Sequence, residues 1–101
     1  MEEYLKAQEF EWDSFNTDKI RIKHHIETFE CEEVFFNSPL VSFDDKHSAV
    51  EQRYFALGTT GMSKELFIAF TIRHAKLRVI SARPMSRKER KIYHEKVKNG
   101  S

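Results

Sequence analysis

With one cysteine in 101 residues, Cys31, the chain can form no internal disulfide, so its fold must rest on packing alone. Glycine is scarce as well. Gly58, Gly61 and Gly100 stand in neither a phosphate-loop nor a dinucleotide-binding spacing. No apolar run nears the ~20 residues that a membrane-spanning helix needs. Met1-Glu2-Glu3-Tyr4 lacks the basic start and apolar stretch of a signal peptide, and a cytoplasmic protein is expected. Pairs of the form His-x-x-x-His or Cys-x-x-Cys are missing, and the adjacent His24 and His25 diverge on any regular element. A metal site and a cofactor are therefore not expected. Nor is there a local motif for a serine or cysteine nucleophile.

Net charge is nearly absent at +1, but that figure conceals a division. Residues 1–52 carry 5 Lys/Arg against 13 Asp/Glu, and residues 53–101 carry 12 against 3. An acidic first half and a basic second half fit contact with a nucleic acid. The alternative is internal complementarity, with acidic helices lying against a basic end of the same domain.

What is present reads as one domain over residues 1–101, with 1–9 and 98–101 expected to be mobile. Phe10-Glu11-Trp12 alternate as a short strand, and Asp13 or Ser14 caps a helix whose 3-4 rhythm runs from Trp12 through Phe15, Lys19, Ile22 and Ile26. Lys23-His24-His25 close that helix, with His25 suited to a left-handed end. Thr28 opens a second, acidic helix that Asn37-Ser38-Pro39 stops. Leu40–Phe43, Gln52–Leu57, Glu65–Arg73 and Lys76–Ala82 read as strands, with a polar loop over Asp44–Ser48. The order predicts an α+β domain: an antiparallel β-sheet meander packed with two N-terminal helices and one C-terminal helix. Phe55, Leu57, Leu66, Ile68, Phe70 and Ile72 are expected to face the helices. Tyr54, Ala56, Ala69 and Thr71 would then face away.

The densest information lies between Phe70 and Lys98. The last strand ends at Arg83, whose side chain is expected to leave the strand end without packing, and Pro84 cannot extend a ladder. Ser86 and Glu89 form a capping box, so a third helix starts there. That helix sets Arg87, Lys91, His94 and Lys98 on one face and Ile92, Tyr93 and Val97 on another. A strand that delivers an arginine to a turn before a basic helix suits an anionic ligand, and RNA is the best candidate. Arg53 and Arg73 converge at strand ends, while Arg83 lies at the opposite end of the last hairpin. Each arginine can hold a phosphate by its fork or pair with the acidic half. His24 titrates near neutrality and suits acid or base work, or else it simply answers the helix dipole.

Ile80-Ser81-Ala82-Arg83-Pro84-Met85-Ser86-Arg87-Lys88-Glu89-Arg90, followed by Tyr93, resembles the C-terminal signature of the BrnT-type ribonuclease toxins. These are RelE-like toxins of bacterial type II toxin–antitoxin pairs. Phe10-Glu11-Trp12-Asp13, Lys23-His24, Asp45, His47, Arg53, Gly58, Arg73 and Arg78 follow the same pattern in the same order. His25 stands where a glycine is usual, and Ile20 where a polar residue is common. The resemblance implies a RelE-like fold and metal-independent RNA cleavage that inhibits translation and growth. It further implies an antitoxin of the ribbon–helix–helix type, in a possible toxin–antitoxin hetero-oligomer. On this basis Arg53, Arg73 and Arg83 are expected to bind phosphate, with His24 or Glu51 as base and Tyr93 as acid. Lys23, Arg87, Arg90 and Lys91 are expected to bind RNA. Two other classes stay open: a non-catalytic nucleic-acid-binding module and a protein-interaction domain.

Overall fold

Local signals set most of the elements in the computed structural model, which describes residues 9–47 and 51–100. Strand β1 (Glu9–Glu11) leads to Asp13, whose carboxylate accepts the Asn16 amide at 3.1 Å and starts helix α1 (Ser14–His24). His25 ends that helix at φ 57°, as its place in the sequence predicts, and the Ile26 N–H donates back to the Ile20 carbonyl. Helix α2 (Thr28–Phe36) opens with a reciprocal cap in which Glu30 accepts the Glu27 amide at 3.0 Å. Strands β2 (Leu40–Phe43), β3 (Arg53–Thr59), β4 (Glu65–Arg73) and β5 (Lys76–Pro84) come next, then helix α3 (Arg87–Gly100). A short 3-10 turn covers Asp45–His47 of the expected loop, while Ser48 lies outside the described residues. So do Met1–Gln8 and Ser101, part of the expected mobile ends; Lys98, by contrast, is helical.

The sheet is mixed, not purely antiparallel. Its strand order is β1-β5-β4-β3-β2, and β1 pairs parallel to β5, Glu9 beside Lys76 through Glu11 beside Arg78. β2 to β5 do form the expected antiparallel meander. Parallel pairing follows from the connection: β1 reaches β5 from across the sheet, after two helices and three strands, so no hairpin dictates its direction. Because β1 covers only Lys76 to Arg78, the second half of β5 remains an edge beside α1.

Register decides which side chains meet the helices. Tyr54 lies opposite Phe70, Ala56 opposite Ile68 and Gly58 opposite Leu66, and residues directly opposite share a face. All six are buried. The expected facing therefore holds for β4 and is inverted for β3, where Phe55 and Leu57 turn outward. Tyr54-Phe55-Ala56-Leu57 is apolar at every position, so alternation carries no sign there. Against the inner face lie Ile20, Ile26, Cys31 and Val34 from the helical segments. Burying a side chain the size of Phe70 or Ile68, both fully inaccessible, contributes roughly 1.5–3 kcal/mol.

Two local features shape the end of β5 and the seat of α2. In the β4–β5 pair Ala69 meets Ser81 but Phe70 meets Val79, so Ile80 is an extra residue at a β-bulge. Val79 and Ala82 both face the core as a result, and Arg83 faces outward. At Gly58, a Cβ would stand 2.8 Å from Val34 Cγ1 and 3.2 Å from Pro39 Cβ. Gly58→Ala is expected to cost about 1–3 kcal/mol of stability through this overpacking. A thermal melt checks it: an unchanged midpoint means α2 can retreat from the sheet at no cost.

Candidate functional site

The capping box at α3 does more than start a helix. Ser86 N–H donates to Glu89 Oε1 at 2.8 Å, and Glu89 N–H donates to Ser86 Oγ at 3.1 Å. The same carboxylate receives both arms of the Arg83 fork, at 2.7 and 2.9 Å. Arg83 also lies over the Phe67 ring, 4.1 Å from its centroid. The expectation of an arginine without packing is thus corrected: helix cap, ion pair and ring stacking fix this side chain together. The pairing raises the Arg83 pKa and holds the Glu89 carboxyl below the usual range, mainly through their shared hydrogen bonds.

Arg83 and His24 border one cleft of about 200 Å³, walled by Lys19 and Lys23 of α1 and by Ser81 and Ala82 of β5. The cleft opens along the stretch of β5 that β1 leaves uncovered. On its other side His24 borders a second cleft, of about 260 Å³, with Lys64, Glu65 and Arg90. Arg90 is aimed there by a 2.7 Å hydrogen bond from its guanidinium to the Met85 carbonyl. His24 is consequently the hinge of a strip carrying Lys19, Lys23, Arg83, Lys64 and Arg90.

A histidine at a helix C-terminus is ordinarily favoured as the cation. Here burial pulls the His24 pKa below 6.5, with Lys23, Arg83 and His25 adding like-charge repulsion. The lowering favours the neutral imidazole, the form that can accept a proton. Cys31, by contrast, is pushed up to about 12 by burial and by Glu30 and Glu32, so no thiolate nucleophile exists there.

The other expected site residues fall into separate places. Arg53 pairs with Thr71 and Arg83 with Phe67, four residues apart along β4, or about 13 Å at ~3.3 Å per residue. Arg53 and Arg73 sit toward the β4–β5 turn, and Arg73 donates to Glu51 at 2.8 Å. Glu51, a candidate base, is engaged by that guanidinium. Tyr93 is 8% exposed, one turn beyond Glu89 on α3. Arg87 and Lys91 are exposed on α3, and Lys23 borders the His24–Arg83 cleft. Arg87, Lys88, Lys91, Lys96 and Lys98 take no carboxylate partner among the described residues.

The acidic half is only partly used up by internal pairing. Arg78 joins Glu11 and Asp13 at 3.0 and 2.8 Å, and Lys64 joins Glu30 at 2.7 Å. Internal pairing thus accounts for bridges near β1 and α2 and leaves the α3 cations without carboxylate partners among the described residues. Lys64 and Glu65 escape sequence reasoning, because only tertiary packing carries them to His24, whereas Lys19 shares α1 with it. Among the described residues no group of three or more His, Cys, Asp or Glu side chains could hold a metal ion. No described helix is long and apolar enough to cross a membrane.

No curated protein sequence shows significant similarity to the chain. A family profile does match: the ribonuclease toxin BrnT of type II toxin–antitoxin systems, over residues 12–89. That span runs from Trp12 through the His24 strip to Glu89, the residue that holds Arg83. The chain belongs to the BrnT family of ribonuclease toxins of type II toxin–antitoxin systems, which makes RNA its target and an antitoxin its partner.

Proposed function

We propose that the chain cleaves RNA without a metal ion, at the strip where α1, β5 and α3 meet, and so inhibits translation and growth. The observation that carries this reading is His24 placed between two clefts lined by cations, its pKa lowered by burial and by like-charged neighbours. A neutral imidazole takes the proton from a ribose 2′-hydroxyl. The 2′-oxygen attacks the adjacent phosphorus, and Arg83, Lys23 and Arg90 stabilise the charge that grows on the phosphorane. Arg87 and Lys91 extend the positive surface along which the RNA backbone runs. Arg53 and Arg73 lie too far along the sheet to share one phosphate with Arg83, so they contact neighbouring phosphates.

A cognate antitoxin of the ribbon–helix–helix type covers this surface and silences it. Helix α1 supports such contact: it carries His24 and also exposes Phe15 and Ile22, at 74% and 77%. Large apolar side chains left open in this way mark a surface for a protein partner.

The test is cleavage of a defined RNA by the purified chain with excess chelator. Cleavage should persist and leave a 2′,3′-cyclic phosphate; in cells, expression alone should arrest growth and the co-expressed antitoxin should relieve it. Salt-dependent RNA binding without cleavage would make the chain a binding module instead. Loss of cleavage in chelator, restored by a divalent cation, would remove the metal-free mechanism.

A further inference from the structure

A second histidine stands beside the cleft, in contact with one of its lining residues. His94 lies one turn beyond Arg90 on α3, past the last residue of the family match, and its Nε2 contacts Glu65 Oε2. Glu65 opens β4 and lines the cleft of about 260 Å³ together with His24 and Arg90. Three elements therefore converge: the end of α1, the start of β4 and the second turn of α3. The two imidazoles have opposite neighbours. His24 faces Lys23 and Arg83, whereas His94 faces a carboxylate. Titratable pairs in contrasting surroundings divide acid and base roles between them.

We infer that His94, oriented by Glu65, donates the proton to the leaving 5′-oxygen, with His24 as base. This rests on the RNA-cleaving function proposed for the strip. In the step, the ribose 2′-oxygen bonds to phosphorus while its proton passes to His24. The bond from phosphorus to the 5′-oxygen breaks, and that oxygen takes a proton from His94. A 2′,3′-cyclic phosphate and a 5′-hydroxyl result, and no outside reactant is needed. One imidazole gains the proton that the other gives up, and solvent resets both. Arg90, one turn before His94, holds the phosphate between them. Glu65 is a positioning residue, because it acts through the His94 ring.

The His94 side chain is 60% exposed, so RNA can reach it and its replacement disturbs little packing. The experiment uses the full chain with His94→Gln, Tyr93→Phe and Glu65→Gln, each checked by melting temperature. Two RNA oligonucleotides are compared, one with an ordinary 5′-oxygen and one with sulfur in the 5′-bridging position. The thiolate leaves without being protonated, so it removes the need for an acid. His94→Gln should slow the ordinary substrate on the order of 10²–10⁴-fold and cleave the sulfur substrate near the rate of the unsubstituted protein. Glu65→Gln should likewise slow the ordinary substrate and spare the sulfur substrate, because Glu65 acts through the His94 ring. Unchanged cleavage in His94→Gln overturns the inference, as does an equal loss on both substrates. Sulfur rescue confined to Tyr93→Phe overturns it in favour of the tyrosine, and an equal loss on both substrates in Glu65→Gln removes the role of Glu65. If the unsubstituted protein cleaves neither RNA, the RNA-cleaving function falls and takes this inference with it.

Discussion

His24→Ala is expected to slow RNA cleavage on the order of 10²–10⁴-fold, the span that a positioned base supplies. The pH profile identifies the cause. His24 accepts a proton only when neutral, so the rate rises as pH climbs through its lowered pKa and levels off above it. Burial is the first cause of that lowering and Lys23 the second. Lys23→Gln removes a positive neighbour, so the acidic limb should shift upward, toward the ordinary value of 6.5. The shift also links to stability. The unfolded chain takes up this proton at a higher pH than the folded one, so folding weakens as pH falls below 6.5 toward the lowered value. Rates measured across pH for the parent, His24→Ala and Lys23→Gln decide the matter. An acidic limb that survives His24→Ala assigns the base elsewhere.

Arg83→Ala should cost cleavage on the order of 10²–10³-fold, comparable with the loss of one donor to a developing oxyanion. Arg83 walls the same cleft as His24, and its fork is held by Glu89 at 2.7 and 2.9 Å. Stability should fall modestly, because the side chain is 39% exposed. An exposed ion pair contributes ~0.2–1 kcal/mol and an exposed cation–π contact ~0.5–1 kcal/mol. Together they correspond to a drop of several degrees for a domain of this size. Arg83→Lys should recover only part of the rate, since a point charge cannot replace a two-armed fork. Cleavage at the parent rate in Arg83→Ala would show that Arg83 does not touch the phosphate. A fall in melting temperature large enough to unfold the variant at the assay temperature would make its role structural.

The sequence carries the elements well where the signal is local. Ser86 with Glu89, Asp13 and His25 each mark a helix end by chemistry that acts within four residues, and each is found at its expected task. Hairpin arithmetic likewise separates Arg83 from Arg53 and Arg73. Two kinds of information are not local. The parallel pairing of β1 with β5 depends on a contact between residues 67 apart, such as Glu9 with Lys76. The inward face of β3 depends on register, since Tyr54 to Leu57 are apolar throughout. The candidate site divides in the same way. His24, Lys23, Arg83 and Arg90 stand out as residue types at element ends, whereas Glu65 gains meaning only from its meeting with His94, 29 residues away.

The extra residue at Ile80 gives Arg83 a second task. Counted from Leu77, strict alternation would turn Ser81 and Arg83 toward the core and Ala82 toward solvent. A slip of β5 that erased the bulge would therefore drag a guanidinium into an apolar interior, away from Glu89. An unpaired buried charge costs several kcal/mol, which is a large share of a small domain's stability. The alternative pairing is excluded by the same charge that reaches the phosphate. Arg83 thus proofreads the alignment of its own strand. An apolar side chain in its place would silence the site and also leave β5 free to settle in either of two registers.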